Sequence, residues 1–162
     1  MDNQIRNKGA IILAESKAFS GLRNLNLENC GIMPAGVLAL ARSETLNGLE
    51  EITLNKNEIK ERGFQHLTAS ENFTNLKILK AGDVFIGDLA VKSIALSAYL
   101  GKLDELCLNG NNITRDGVDT LCNASNLKAL KKIDFRRNLM QYEDCILLAD
   151  LPRFKKMEVV RF

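Results

Sequence analysis

A leucine returns every 27 residues along this chain, at Leu22, Leu49, Leu76, Leu103 and Leu130, and Met157 opens a sixth copy in the same phase. A fixed period of this length restricts a chain to architectures in which each copy buries its apolar face only against its neighbours. The residues three and five places past each opener are apolar too: Leu25/Leu27, Ile52/Leu54, Leu79/Ala81, Leu106/Leu108, Ile133/Phe135 and Val160/Phe162. Alternation at a period of two predicts a short strand with one face turned inward. Eight places past the opener stand Cys30, Asn57, Val84, Asn111 and Asn138, and ten places past it Ile32, Ile59, Ile86, Ile113 and Met140.

The second half of each copy changes period. Val37/Leu40/Ala41, Phe64/Leu67/Thr68, Val91/Ile94/Ala95, Val118/Leu121/Cys122 and Cys145/Leu148/Ala149 fall at i, i+3, i+4, one face of a helix. Phe19, Leu46, Phe73, Leu100, Leu127 and Phe154 recur where the chain must turn back to the next strand, and they plug the rear of the core. Strands related by one repeated strand-helix step run parallel with right-handed crossovers. The expected product is a curved α/β solenoid, a horseshoe with parallel strands on the concave face and helices on the convex face.

The order L-x-x-L-x-L-x-x-N/C-x-L resembles the leucine-rich repeat family, and more closely its ribonuclease-inhibitor-like branch, which carries a full helix per repeat. Residues 49–75 and 103–129 are similar to a bacterial form of that repeat. The resemblance spans essentially the whole chain, as one domain: a partial repeat 1–21, repeats 22–48, 49–75, 76–102, 103–129 and 130–156, and a partial strand 157–162. It implies recognition of another protein through the concave face and its adjoining loops. Such arrays occur in bacterial proteins delivered into host cells and in cytosolic adaptors. A cytoplasmic location follows as an expectation, in the host cytosol for a delivered effector. Alternatives are the substrate-recognition segment of a larger ubiquitin-ligase-type protein and a self-associating structural module.

The asparagine eight places past the opener has a physical task. Buried in the bend after a strand, its side chain can satisfy backbone groups that no regular ladder reaches. Val84 cannot do this, and Ala81 under-fills the same copy, so the third copy is expected to be irregular, through decay or as a shaped binding feature. The termini show no polar capping repeat. An excised piece of a longer array is the expectation, and open ends that pair with another copy are the rival account.

Composition and motifs narrow the function further. The chain is 46% hydrophobic and 26% charged, with no long apolar run to suggest a membrane span. Its four cysteines sit at repeat positions: Cys30 in the turn, Cys122 and Cys145 on inward helix faces, Cys107 on the outward strand face. A Cys122–Cys145 disulfide is conceivable, but a reducing compartment fits this pattern better. A lone histidine, His66, and the lack of C-x-x-C argue against zinc. Phosphate-cradling glycine loops are missing too, so neither a cofactor nor an enzyme activity is expected. Sequons at Asn72, Asn112 and Asn123 are read as chance products of asparagine-rich repeats.

A solenoid stores its function in the positions that vary. The candidate partner-binding residues on the strand face are Glu51, Thr53, Ile78, Lys80, Glu105, Cys107, Lys132, Asp134 and Arg161, with Phe85, Arg136 and Arg137 on the rim. Ile78, Phe85 and Cys107 form an apolar spot at the centre, unless Phe85 folds inward beside Ala81. From Lys128 onward nine Lys/Arg stand against five Asp/Glu, a basic end that could meet an acidic protein. Nucleic acid fits poorly, because no aromatic platform accompanies these charges. Six strands at about 4.8 Å spacing give a footprint of a few hundred Å². That falls short of the roughly 800 Å² per partner of a standard interface, so the rim loops must take part.

Overall fold

The computed structural model describes residues 3–162. Within them six three-residue strands alternate with helices: α1 (Arg6–Glu15), β1 (Asn24–Asn26), α2 (Pro34–Ala41), β2 (Glu51–Thr53), α3 (Lys60–Thr68), β3 (Ile78–Lys80), α4 (Asp88–Ala95), β4 (Glu105–Cys107), α5 (Arg115–Cys122), β5 (Lys132–Asp134), α6 (Tyr142–Ala149), α7 (Pro152–Lys155) and β6 (Val159–Arg161). The strands form one parallel sheet in chain order, β1 to β6. Every register partner lies 27 residues on: Leu25 pairs with Ile52, Ile52 with Leu79, Leu79 with Leu106, Leu106 with Ile133 and Ile133 with Val160. The sequence period is thus the spatial period. Between sheet and helices lies one apolar core, with Phe64, Phe73 and Phe135 wholly buried. At its end Phe162 stacks on Phe135 and meets Phe154 edge-on.

The bend after each strand needs a left-handed residue. Seven places past the opener Asn29, Lys56, Asp83, Gly110 and Arg137 all take φ between 52° and 67°. That kink turns the next amides into the core, where the asparagines meet them. Asn57 Oδ1 accepts from the N–H groups of Cys30 and Ile32, and its Nδ2 donates to the carbonyls of Leu27, Leu54 and Asn55. Asn111 repeats this set on Val84, Ile86, Ala81, Leu108 and Asn109. Asn138 does so on Ile113, Leu108 and Phe135. Each asparagine therefore staples its own copy to the preceding one.

The third copy is not the lone irregularity that Val84 led us to expect. Where a copy lacks the asparagine, a backbone bond replaces it: Arg6 N–H donates to the Cys30 carbonyl at 2.8 Å, and Lys60 N–H to the Val84 carbonyl at 3.0 Å. Both donors take a positive φ, 54° at Arg6 and 57° at Lys60. The copies that supply those carbonyls carry a second left-handed residue of their own, Gly31 at 68° and Phe85 at 63°. Arg6 and Lys60 are 54 residues apart, as are Gly31 and Phe85. Copy three thus repeats copy one, while copies two and four share the asparagine but differ further on, where Lys60 is left-handed and Thr114 extended.

Helix packing depends on a small residue fourteen places past the openers of the first four copies, Gly36, Gly63, Ala90 and Gly117. A side chain at Gly36 would meet Asn7 Oδ1 at 2.7 Å, one at Gly63 the Pro34 backbone at 3.0 Å, and one at Gly117 would run into Asp88 Oδ1. The room is used for capping: Asn7 accepts from the amides of Met33 and Gly36 at the start of α2, and Asp88 from Thr114 at the start of α5. The fifth copy carries Asp144 at this place. Accordingly α6 packs sparsely on α5, and Tyr142, Ile146 and Leu147 stay exposed. Cys145 is consequently only partly buried rather than inward in the core.

Replacing Asn111 by alanine orphans backbone groups of two copies at once. With about 1–3 kcal/mol for each buried group left unsatisfied, Asn111→Ala should cost at least about 3 kcal/mol in urea unfolding. The same change at exposed Asn112 should cost little.

Candidate functional site

The sheet offers solvent two rows of side chains, fixed by strand register. One row runs Asn24, Glu51, Ile78, Glu105, Lys132, Val159, and the other Asn26, Thr53, Lys80, Cys107, Asp134, Arg161. All the strand-face candidates from the sequence share this surface, but not all are available to a partner. Thr53 and Asp134 are buried, each 6% exposed. Asp134 lies beneath Arg136, whose Nε reaches its two carboxylate oxygens at 3.0 and 3.1 Å, with Arg161 at 3.8 Å.

The basic end is largely neutralised from within. Asp134 takes Arg136 and Arg161, Asp83 takes Arg137 at 2.7 Å, Asp104 takes Lys131 at 2.9 Å and Asp150 takes Lys155 at 3.1 Å. The Arg137–Asp83 pair reaches across a whole copy. Gly110 lies between, and a side chain there would run into Asp83 Oδ1. Arg153 is not a free cation of the patch either: its guanidinium caps α5 by donating to the carbonyls of Cys122, Ala124 and Leu127. Lys132 is half-buried beside Glu105 in the register.

One position past each opener a regularity escaped the reading of the sequence. Arg23, Glu50, Lys77, Asp104, Lys131 and Glu158 alternate in sign along the stack. Lys77 bonds Glu50 at 2.7 Å and Lys131 bonds Asp104 at 2.9 Å. On the strand face Lys80 bonds Glu51 at 2.7 Å, which holds the Glu51 carboxyl below the usual carboxylate range and raises the Lys80 ammonium. Asn24 adds a second bond to Glu51.

Cys107 sits between these charges. Burial, then the neighbouring Glu105 carboxylate, pushes its thiol up to about 11, so it stays protonated at neutral pH and is a poor nucleophile. No group of three or more His, Cys, Asp or Glu among the described residues could hold a metal ion. Asn72, the first sequon, donates to the carbonyls of Ala41 and Ser43, so its amide serves the fold.

Phe85 stands apart from this self-satisfied surface. It is 61% exposed, so it does not fold inward beside Ala81, which is itself fully buried. It also holds φ 63°, a conformation that costs a residue with a Cβ roughly 1–2 kcal/mol. The signal was in the sequence: Gly31 occupies the equivalent place 54 residues earlier at φ 68°. An aromatic ring on the rim, where glycine serves the backbone better, contributes little to the fold.

No family model matches the chain, and no curated protein matches it. Among solved structures it is similar to a Bacteroides fragilis protein, at a TM-score of 0.59 and 21% identity, over 85% of this chain and 42% of that one. It also aligns with an internalin from Listeria monocytogenes, at a TM-score of 0.42 and 18% identity, over 90% and 49%. The chain spans less than half the length of either. No helix among the described residues is long and apolar enough to cross a membrane.

Two measurements check this geometry. Phe85→Gly should raise unfolding free energy by about 0.5–1 kcal/mol, the left-handed cost less the added chain entropy of glycine, whereas Phe85→Ala should leave it almost unchanged. For Asp134, burial alone would raise the carboxyl, but the bonds from Arg136 and the charge of Arg161 outweigh it and hold the group below its ordinary value. Its contribution is then present above the unfolded pKa of about 3.9 and lost as pH falls through the lower folded value. The stability gap between wild type and Asp134→Asn should be widest near neutral pH and shrink below pH of about 4. With period and register established, the chain is a parallel α/β solenoid of 27-residue strand-helix repeats.

Proposed function

We propose that the chain is a protein-binding module whose contact surface is the strand face of copies two to five together with the ascending rim, with Phe85 as its anchor. The observation that carries this reading is the exposed ring of Phe85 held at a left-handed φ. Backbone strain at an exposed side chain is an expense the fold does not need, and such outliers concentrate at ligand-clamping sites. Aromatic anchors of this kind dominate binding energy at protein interfaces. Ile78 and Cys107, both part-exposed, extend the apolar spot on the sheet, and the Lys80–Glu51 and Arg137–Asp83 pairs flank it.

The ion pairs shape what the surface can recognise. Charges already tied to one another add little attraction, so Glu51, Lys80, Asp134, Arg136, Arg137 and Arg161 act mainly by rejecting partners that would strip or mismatch them. Lys132 and Glu105 remain the charges with most freedom to engage a partner. A helix of eight to ten residues in each copy supports placing the chain in the ribonuclease-inhibitor-like branch. Cysteines that follow the repeat positions rather than a paired framework support a reducing, cytoplasmic setting.

The test is capture from lysate on immobilised wild-type chain and on Phe85→Gly, followed by affinity measurement with whichever purified protein is retained. Loss of an interfacial anchor should weaken binding by roughly 30-fold or more without lowering the melting temperature. Equal affinity for the two chains would remove Phe85 from the interface, and with it this reading.

A further inference from the structure

Positive charge that is tied down on the strand face is only partly compensated on the opposite edge of the sheet. Where the last two helix-to-strand loops run side by side, a groove is lined by Lys128, Lys131, Arg153 and Lys156 over an apolar floor that includes Leu127 and Met157. Four cations line it and no carboxylate does. The strand-face grooves are different, since each mixes lysine or arginine with Glu or Asp. Of the four cations, Lys131 has Asp104 as partner. Lys128 and Lys156 are exposed and make no ion pair among the described residues. Arg153 is held in place by three carbonyls, which are neutral, so its bonds fix its position without cancelling its charge.

We propose that this groove binds an acidic peptide segment in which carboxylates flank an apolar side chain. The carboxylates face Lys128, Lys156 and the fixed charge of Arg153, and the apolar side chain covers Met157. Phosphate would satisfy the cations but leave the apolar floor in water, so a peptide fits the groove better than a bare oxyanion. Orientation is favoured because Arg153 is pinned before any ligand arrives, which lowers the ordering cost of binding. The groove is separate from the Phe85 rim, so its test does not depend on the strand-face reading.

The experiment is an amide chemical-shift titration of the isotope-labelled full chain with three probes: a capped hexapeptide alternating glutamate and leucine, the same peptide with glutamine for glutamate, and inorganic phosphate. Saturable shifts confined to 127–131 and 152–157, from the glutamate peptide alone, are expected. Lys128→Glu/Lys156→Glu should weaken binding roughly ten-fold, two exposed charge contacts being lost, and Lys128→Arg/Lys156→Arg should retain it. A melting curve like the wild type's confirms that either double variant is folded. Equal shifts from the glutamine peptide, saturation by phosphate without the peptide, or shifts spread over every exposed lysine would each overturn the proposal.

Discussion

A three-residue strand followed by a kinked bend leaves amides and carbonyls inside the core with no ladder to join, and the solenoid stands or falls on how they are satisfied. Asn57, Asn111 and Asn138 meet this demand with both ends of one amide, tying together two copies at a time. Because each asparagine reaches back 27 residues, bend geometry in one copy is set by the identity of a residue in the next. Cys30 and Val84 reach the same end by offering a carbonyl, and the preceding copy answers with a left-handed residue. Local sequence and long-range contact are in this way a single constraint.

From that constraint follows the division of labour on the surface. Side chains on the strand face stand in rows at sheet spacing, so like charges would repel along the stack and unlike ones pair. Glu51 with Lys80, and Asp134 with Arg161, are the outcome. A face so paired gives a partner little to gain by electrostatics alone. Recognition then falls to residues that the ladder does not consume, which is why Phe85 on one rim and Lys128 with Lys156 on the far edge carry the functional argument.

Much of this was legible in the residues. The apolar openers, the strand dipeptides and the i, i+3, i+4 helix faces fix fold and register, because burial leaves them no freedom. The asparagine role was legible for the same reason. Side-chain pairing was not: that Asp134 is buried under Arg136 and Arg161, or that Arg137 passes over Gly110 to Asp83, depends on rotamers that a repeat alignment does not specify. That Arg153 is pinned by three carbonyls was equally illegible, since a fixed guanidinium and a mobile one look alike in sequence. Phe85 was readable in part. Its position on the rim follows from phase, but its strain becomes visible only when copies are compared two apart rather than one.

That comparison bears on how such an array can change in length. The charges of Arg23, Glu50, Lys77, Asp104, Lys131 and Glu158 alternate through the whole stack, and the turn residue alternates between asparagine and a residue without a side-chain amide through its first four copies. Excising one inner copy would set like charge beside like charge, Arg23 beside Lys77 or Glu50 beside Asp104. Excising two adjacent copies leaves every surviving charge beside an opposite one. The smallest seamless module of this protein is therefore 54 residues, a pair of unlike copies, even though the period of its core is 27.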